Sequence, residues 1–323
     1  MDANDKAPKT LAVVVPCYNE EEAFPVTARR LGGEVERLAG LGLVSSASKV
    51  VFVDDGSSDA TWDLIRERHE ANRTLYGGIK LTRNQGHQNA LLAGLMTVRG
   101  WCDMAVSIDA DLQDDVSAVE AMVRSHLEGC EIVYGVRSSR RTDSVLKRST
   151  ALGFYSVMRA LDADIVRNHA DFRLMGKRSL DALAEYGEVN LFLRGIVPML
   201  GYESGVVTYA RAKRTAGKSK YPFRKMVNFS LQGITSLTVK PVRMIAWLGF
   251  LVSLASIAMV AFFVVQRFTG RTVTGWASTI VSIWAIGGLI LLGIGVVGEY
   301  IGKIYLETKR RPRYRVEQVL DGD

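Results

Sequence analysis

Lys49-Val50-Val51-Phe52-Val53-Asp54-Asp55-Gly56-Ser57-Ser58-Asp59 is the stretch whose reading decides the fold. Its first half is apolar without alternation, the mark of a strand buried on both faces. It then runs straight into an acidic turn that opens a helix through His69. The pattern recurs along the chain. Leu11–Val15 leads into Pro16-Cys17-Tyr18-Asn19-Glu20 and a helix over Glu20–Leu38, and Tyr76–Leu81 leads into Arg83-Asn84-Gln85-Gly86-His87 and a helix over Gly86–Val98. Met104–Ile108 leads into Asp109-Ala110-Asp111, and Ile132–Val136 completes the set. Strands alternating with helices predict an α/β fold, with right-handed crossovers and a mostly parallel sheet covered by helices on both faces. Such sheets take ligands beyond the carboxyl ends of their strands, which is where four polar motifs fall in succession.

Beyond this region the chain changes character. Met244–Val265 and Trp276–Val297 are apolar runs of 22 residues each without one charged side chain. As helices they are about 33 Å long, against a bilayer core of about 30 Å. The nine-residue connector Arg267–Gly275 makes them a membrane-spanning hairpin. Lys240 and Arg243 precede the first span, and Lys303, Lys309, Arg310, Arg311, Arg313 and Arg315 follow the second, while the connector holds only Arg267 and Arg271. The positive-inside bias therefore predicts a two-span protein of the inner membrane with the N-terminal α/β domain and both termini in the cytoplasm. Met1–Thr10 is polar and the apolar run after it is too short for a secretory signal. The expected division is a cytosolic domain over 1–220, an amphipathic juxtamembrane segment over 221–243, spans over 244–265 and 276–297, and a basic tail over 298–323.

The net charge of +7 is concentrated near the membrane: no Asp or Glu occurs from Ser204 through Gly298, whereas eleven Lys or Arg do. That location points to anionic lipid headgroups and away from nucleic acid. Cys17, Cys102 and Cys130 have no metal-ligand or disulfide spacing, as reduced apolar residues would. Gly287-Gly288, Gly293 and Gly295 allow the second span close approach to another helix, including one from a second copy in a homo-oligomer.

At the strand ends, Asp109 and Asp111 are hard oxygen ligands suited to Mg²⁺ or Mn²⁺ bridging a diphosphate. Asp54 and Asp55 can accept from a uracil N–H or a ribose hydroxyl, or can simply cap a turn. Tyr18 can cover a flat base, and Glu20 can reach the ribose. Neither Gly-x-Gly-x-x-Gly nor a Walker lysine pattern occurs, so dinucleotide and P-loop readings lack their phosphate cradle.

Val14-Val15-Pro16-Cys17-Tyr18-Asn19-Glu20, Val53-Asp54-Asp55-Gly56-Ser57-Ser58-Asp59 and Asp109-Ala110-Asp111-Leu112-Gln113-Asp114 resemble glycosyltransferase family 2 of the GT-A fold. Asp171-Phe172-Arg173-Leu174-Met175, Phe192-Leu193-Arg194-Gly195, Gly217-Lys218-Ser219-Lys220-Tyr221 and Gly298-Glu299-Tyr300-Ile301-Gly302-Lys303-Ile304-Tyr305 narrow the resemblance. They are similar to the bactoprenol glucosyltransferase and dolichol-phosphate mannose synthase-like group. The resemblance implies a metal at Asp109, Asp111 and Gln113, and a nucleotide-sugar lined by Pro16, Tyr18, Glu20, Asp54 and Asp55. It implies that the acceptor phosphate meets Arg137, Arg148, Arg211 and Lys218, apt because the arginine fork binds phosphate oxygens bidentately. Asp171 takes the position of a catalytic base. The nucleophile would be a phosphate monoester with a second pKa of about 6, largely ionised at neutral pH. A base gains little there, so orientation of a sugar hydroxyl or of Arg173 is the alternative role, and a helix-capping aspartate the third.

The expected activity is inverting transfer of one sugar, glucose or another hexose or HexNAc, from a UDP-sugar donor to polyprenyl phosphate. An aminoarabinose derivative, or mannose from GDP-mannose, on the same carrier is the near alternative. A processive polysaccharide synthase would carry Gln-x-x-Arg-Trp, which is absent. A non-catalytic membrane scaffold would not need the acidic strand ends.

Overall fold

The computed structural model describes residues 7–137, 169–189, 192–210, 239–269 and 275–321. Its organising element is β1 (Leu11–Cys17), buried at every position. Leu11, Val13 and Val15 feed one core while Ala12 and Val14 feed the other, because successive strand side chains point to opposite faces. The first core packs against α1 (Phe24–Gly40), α2 (Thr61–Ala71) and α4 (Ala118–Leu127). The second packs against α3 (His87–Val98), α5 (Lys177–Glu185) and α6 (Leu193–Met199). A sheet between two helical layers results.

The remaining strands are β2 (Lys49–Asp54), β3 (Tyr76–Leu81), β4 (Met104–Ser107), β5 (Ile132–Arg137), β6 (His169–Gly176), β7 (Ser204–Tyr209) and β8 (Val316–Leu320). They form one eight-stranded sheet in the order β7-β5-β6-β4-β1-β2-β3-β8. The β3, β2, β1 and β4 run is parallel, as is β5 with β7, whereas β6 is antiparallel to both β4 and β5. This is a mixed, mostly parallel sheet of GT-A type. The five strands expected from sequence all form, with ends displaced by a residue or two. Helix α1 begins later than expected because residues 20–23 make a turn tied to the neighbouring loop, and Pro25 enters in the first helical turn, where its missing N–H costs nothing.

Two helices leave this body, α7 (Lys240–Phe268) and α8 (Trp276–Thr308). Each contains its expected apolar run and extends past it. Their side chains are not a buried core: Trp247, Leu251 and Phe262 are 67%, 57% and 56% exposed. Apolar faces of that extent are stable in lipid and not in water. At Gly293 an added Cβ would stand 3.3 Å from Ile245 Cγ2, so the glycine lets the two helices touch.

The region after the second apolar run departs from a plain basic tail. Helix α8 continues to Thr308, and Val316–Leu320 then pairs antiparallel with β3, placing Leu320 opposite Gly78 and Val319 opposite Ile79. The expected juxtamembrane segment lies outside the described residues except for its last positions, which begin α7.

Candidate active site

The site is built at the carboxyl ends of β1, β2 and β4. Cys17 pairs with Asp54 across β1 and β2, and the loops that follow are knitted together. Ser57 Oγ accepts from Asn19 N–H at 3.0 Å, Thr61 Oγ1 from Glu20 N–H at 2.9 Å, and Asn19 Oδ1 from Ser58 N–H at 2.9 Å. Pro16 is buried within β1, whereas Tyr18 stands 45% exposed, its ring available for stacking on a flat base.

The two acidic residues after β2 are buried and turned inward. Asp54 accepts from Ser57 N–H, capping its own turn. Asp55 accepts from Gln85 N–H at 2.7 Å and Gly86 N–H at 2.9 Å, so it shapes the loop that launches α3. Gly56 makes this possible. With φ at +66°, it lies where a Cβ would be 2.6 Å from the backbone of Arg83 and Asn84. The Asp-Asp-Gly signature therefore brings the 83–87 loop against the loops that follow β1 and β2 and presents His87.

The strand β6 brings the distant carboxylate in. Ser107 is opposite Arg173 in the β4–β6 register. Continuing an antiparallel register by two residues sets Asp109 facing Asp171. Ser107 Oγ–H donates to the Asp171 carbonyl and helps hold the strand there. The imidazole of His87 lies between the two carboxylates, its Nε2 3.5 Å from each. Burial pushes the Asp109 carboxyl up to about 6; His87 opposes this, and Asp171, Asp114 and Asp111 add to it. Burial pulls His87 down, but Asp171 and Asp109 outweigh that and raise it to about 9. Asp171 also receives Arg173 Nη2–H at 3.1 Å and a two-pronged contact from Arg194, Nε–H at 3.2 Å and Nη2–H at 2.9 Å.

A crowd of carboxylates around a raised Asp109 is the electrostatic environment a divalent cation relieves, and Asp109, Asp111 and the Gln113 side-chain oxygen are all hard donors. Among the described residues no cluster of three or more His, Cys, Asp or Glu is arranged to hold a metal by itself. Mg²⁺ is commonly bound by one or two carboxylates with substrate phosphates completing its shell, and the residues fit that mode.

Of the four basic residues expected at the acceptor phosphate, Arg137 ends β5 close to this cluster, while Arg148, Arg211 and Lys218 lie outside the described residues. Arg137 Nη2–H donates to Asp114 at 3.1 Å and Nε–H to the Tyr209 hydroxyl at 3.3 Å. Sequence reasoning gave no role to His87, Arg194, Asp114 or Tyr209. The first three sit inside motifs it quoted, but their convergence depends on sheet order, and Tyr209 carries no local signal.

Residues 12–184 match the profile of Glycosyl transferase family 2. YkoT of Bacillus subtilis (strain 168), described as an uncharacterized glycosyltransferase, is 52% identical over 308 residues, covering 95% of this chain and 91% of that one. The bactoprenol glucosyl transferase of Shigella phage SfX is 38% identical over 309 residues, covering 95% of this chain and 98% of its own. Among solved structures, glucosyl-3-phosphoglycerate synthase of Mycobacterium tuberculosis in complex with uridine diphosphate aligns with a TM-score of 0.47 at 19% identity, over 72% of this chain and 80% of that one.

Proposed function

The chain belongs to glycosyl transferase family 2, and from that we propose that it transfers one sugar, glucose first among candidates, from a UDP-sugar to polyprenyl phosphate at the cytoplasmic membrane face. The observation that carries this reading is the return of the chain from an apolar helical hairpin to the sheet that holds the acidic cleft. Strand β8, which follows α8, pairs with β3, which precedes α7 by far in sequence. A soluble donor and a membrane-bound acceptor require that union in one chain. The lipid acceptor is further supported by alignment with a bactoprenol glucosyl transferase along 95% of the length, through both the cleft and the helices.

Tyr18 stacks on the uracil and Glu20 reaches the ribose, with Asp54 and Asp55 holding the loops beneath them. Asp109, Asp111 and Gln113 would hold Mg²⁺ or Mn²⁺. When bound, the metal offsets charge on the diphosphate leaving group. The acceptor phosphate oxygen attacks the anomeric carbon opposite the departing UDP, so configuration inverts. Arg137 binds and orients that phosphate. Asp171, fixed by Arg194, Arg173 and His87, orients the sugar and helps exclude water from the anomeric carbon. Holding acceptor and donor in line supplies much of the rate.

The test is transfer of label from a panel of nucleotide sugars into organic-extractable, acid-labile lipid by membranes supplied with polyprenyl phosphate and Mn²⁺. One donor should label lipid. Asp111→Ala should abolish labelling while still partitioning with membranes. Label found only in polymer, or undiminished labelling by Asp111→Ala in chelator, would sink the reading.

A further inference from the structure

Arg137 and Tyr209 are direct cross-strand partners where β5 and β7 end side by side. The Tyr209 hydroxyl accepts from Arg137 Nε–H at 3.3 Å and itself donates to Asp114 Oδ1, the same oxygen that accepts from Arg137 Nη2–H at 3.1 Å. Three groups thus close a ring around one carboxylate oxygen. Asp114 is 1% exposed at its side chain, and its other oxygen, Oδ2, finds no donor among the described residues. A buried carboxylate so sparsely satisfied is costly, and Arg137 with the Tyr209 hydroxyl is what offsets it. The Tyr209 ring is pinned independently, edge-on to Phe172 at 5.2 Å and 81°, next to Asp171. The guanidinium of Arg137 is therefore held along two of its three nitrogens. Its Nη1 makes no hydrogen bond among the described residues, and the side chain keeps 27% exposure.

We propose that Tyr209 and Asp114 are positioning residues that lock the Arg137 fork with its Nη1 edge turned to the acceptor phosphate. This rests on the reading of Arg137 as an acceptor-phosphate ligand. A long arginine side chain loses rotamer freedom when it binds, and fixing it beforehand removes that cost from the binding step. Asp114 lies three residues after Asp111, so the same loop that supplies the metal ligands aims the acceptor's arginine. Donor and acceptor alignment are coupled through that one loop.

Tyr209→Phe tests this, because it deletes the hydroxyl and keeps the ring against Phe172. Its acceptor KM should rise roughly tenfold, the size of a lost hydrogen bond to a charged group, with donor KM near that of the wild type and a lower melting temperature from the donor lost beside buried Asp114. Arg137→Ala should raise acceptor KM further. In the Arg137→Ala background, Tyr209→Phe should add nothing, since its effect passes through the guanidinium. An unchanged acceptor KM in Tyr209→Phe, or an equal additional rise on top of Arg137→Ala, overturns the positioning role while leaving Arg137 as a ligand. An unchanged acceptor KM in Arg137→Ala overturns the ligand assignment beneath it.

Discussion

Burial by itself would raise the Asp171 carboxyl, yet Arg194, then His87 and Arg173, hold it well below the usual carboxylate range. A general base works best with a pKa near the working pH, and a carboxylate this stabilised is a weak one. With the folded pKa below an unfolded value of about 3.9, these contacts stabilise the fold fully above that value. Their contribution fades as pH falls toward the folded pKa. Between pH 5 and 8 Asp171 stays ionised, so any acid limb of activity in that window belongs to another group. Two groups titrate there, the proposed acceptor phosphate, with a second pKa of about 6, and Asp109, pushed up to about 6 by burial. Asp171→Asn should therefore lower kcat while leaving the midpoint of the acid limb near that value; loss of the limb in this variant would restore Asp171 as the base. The same substitution removes the charge facing Arg173, which is 1% exposed at its side chain. It should cost about 3 kcal/mol of stability, read as a drop in melting temperature.

At the level of elements, β8 turns an exposed edge into a paired one and reaches the site through one further contact: Thr82 N–H donates to the Arg315 carbonyl at 3.1 Å, at the start of the loop carrying His87. Deleting residues 316–323 should destabilise the domain by roughly 2 kcal/mol, the scale of a few ladder bonds and one partly buried leucine. Donor KM should rise as the 83–87 loop loosens, while membrane association persists; wild-type donor KM and melting temperature would contradict this. How much of this architecture the sequence discloses depends on burial. Strands β1 to β5 are readable because central strands of a parallel sheet are apolar on both faces and end in polar turns. Strand β6 is not placed by any local pattern: its position between β4 and β5, and its reversed direction, come from tertiary pairing. The meeting of Asp109 with Asp171, 62 residues later, follows from that pairing alone. Strand β7 alternates exposed and half-buried positions, and β8 hides behind a run of arginines. Asp55 shows the limit at the site: its motif marks the right loop, but its carboxylate is engaged by Gln85 and Gly86 N–H groups.

Across the whole molecule, the cleft is strapped to the second apolar helix. Glu307 Oε2 accepts from Val189 N–H at 2.9 Å, and Arg313 Nη1–H donates to the Tyr186 carbonyl at 2.9 Å. That short stretch leads toward α6, whose Arg194 grips Asp171. The chain thus leaves the sheet, passes through two apolar helices and returns to the same sheet. A hydrogen-bonded ladder cannot straddle a bilayer, so a membrane-spanning hairpin must bring both ends out on one side. A membrane-impermeant maleimide applied to intact cells should label Thr272→Cys in the connector and not Asp321→Cys; the reverse pattern would contradict the proposed topology. The most direct test of the whole account uses the purified chain in lipid nanodiscs with UDP-glucose, undecaprenyl phosphate and Mn²⁺, reading the lipid by mass spectrometry and its anomeric configuration by NMR. The account predicts polyprenyl phosphate heavier by one hexose, of inverted configuration, with one UDP released per lipid. A ladder of added sugars, retained configuration, or UDP release without a glycosylated lipid would contradict it.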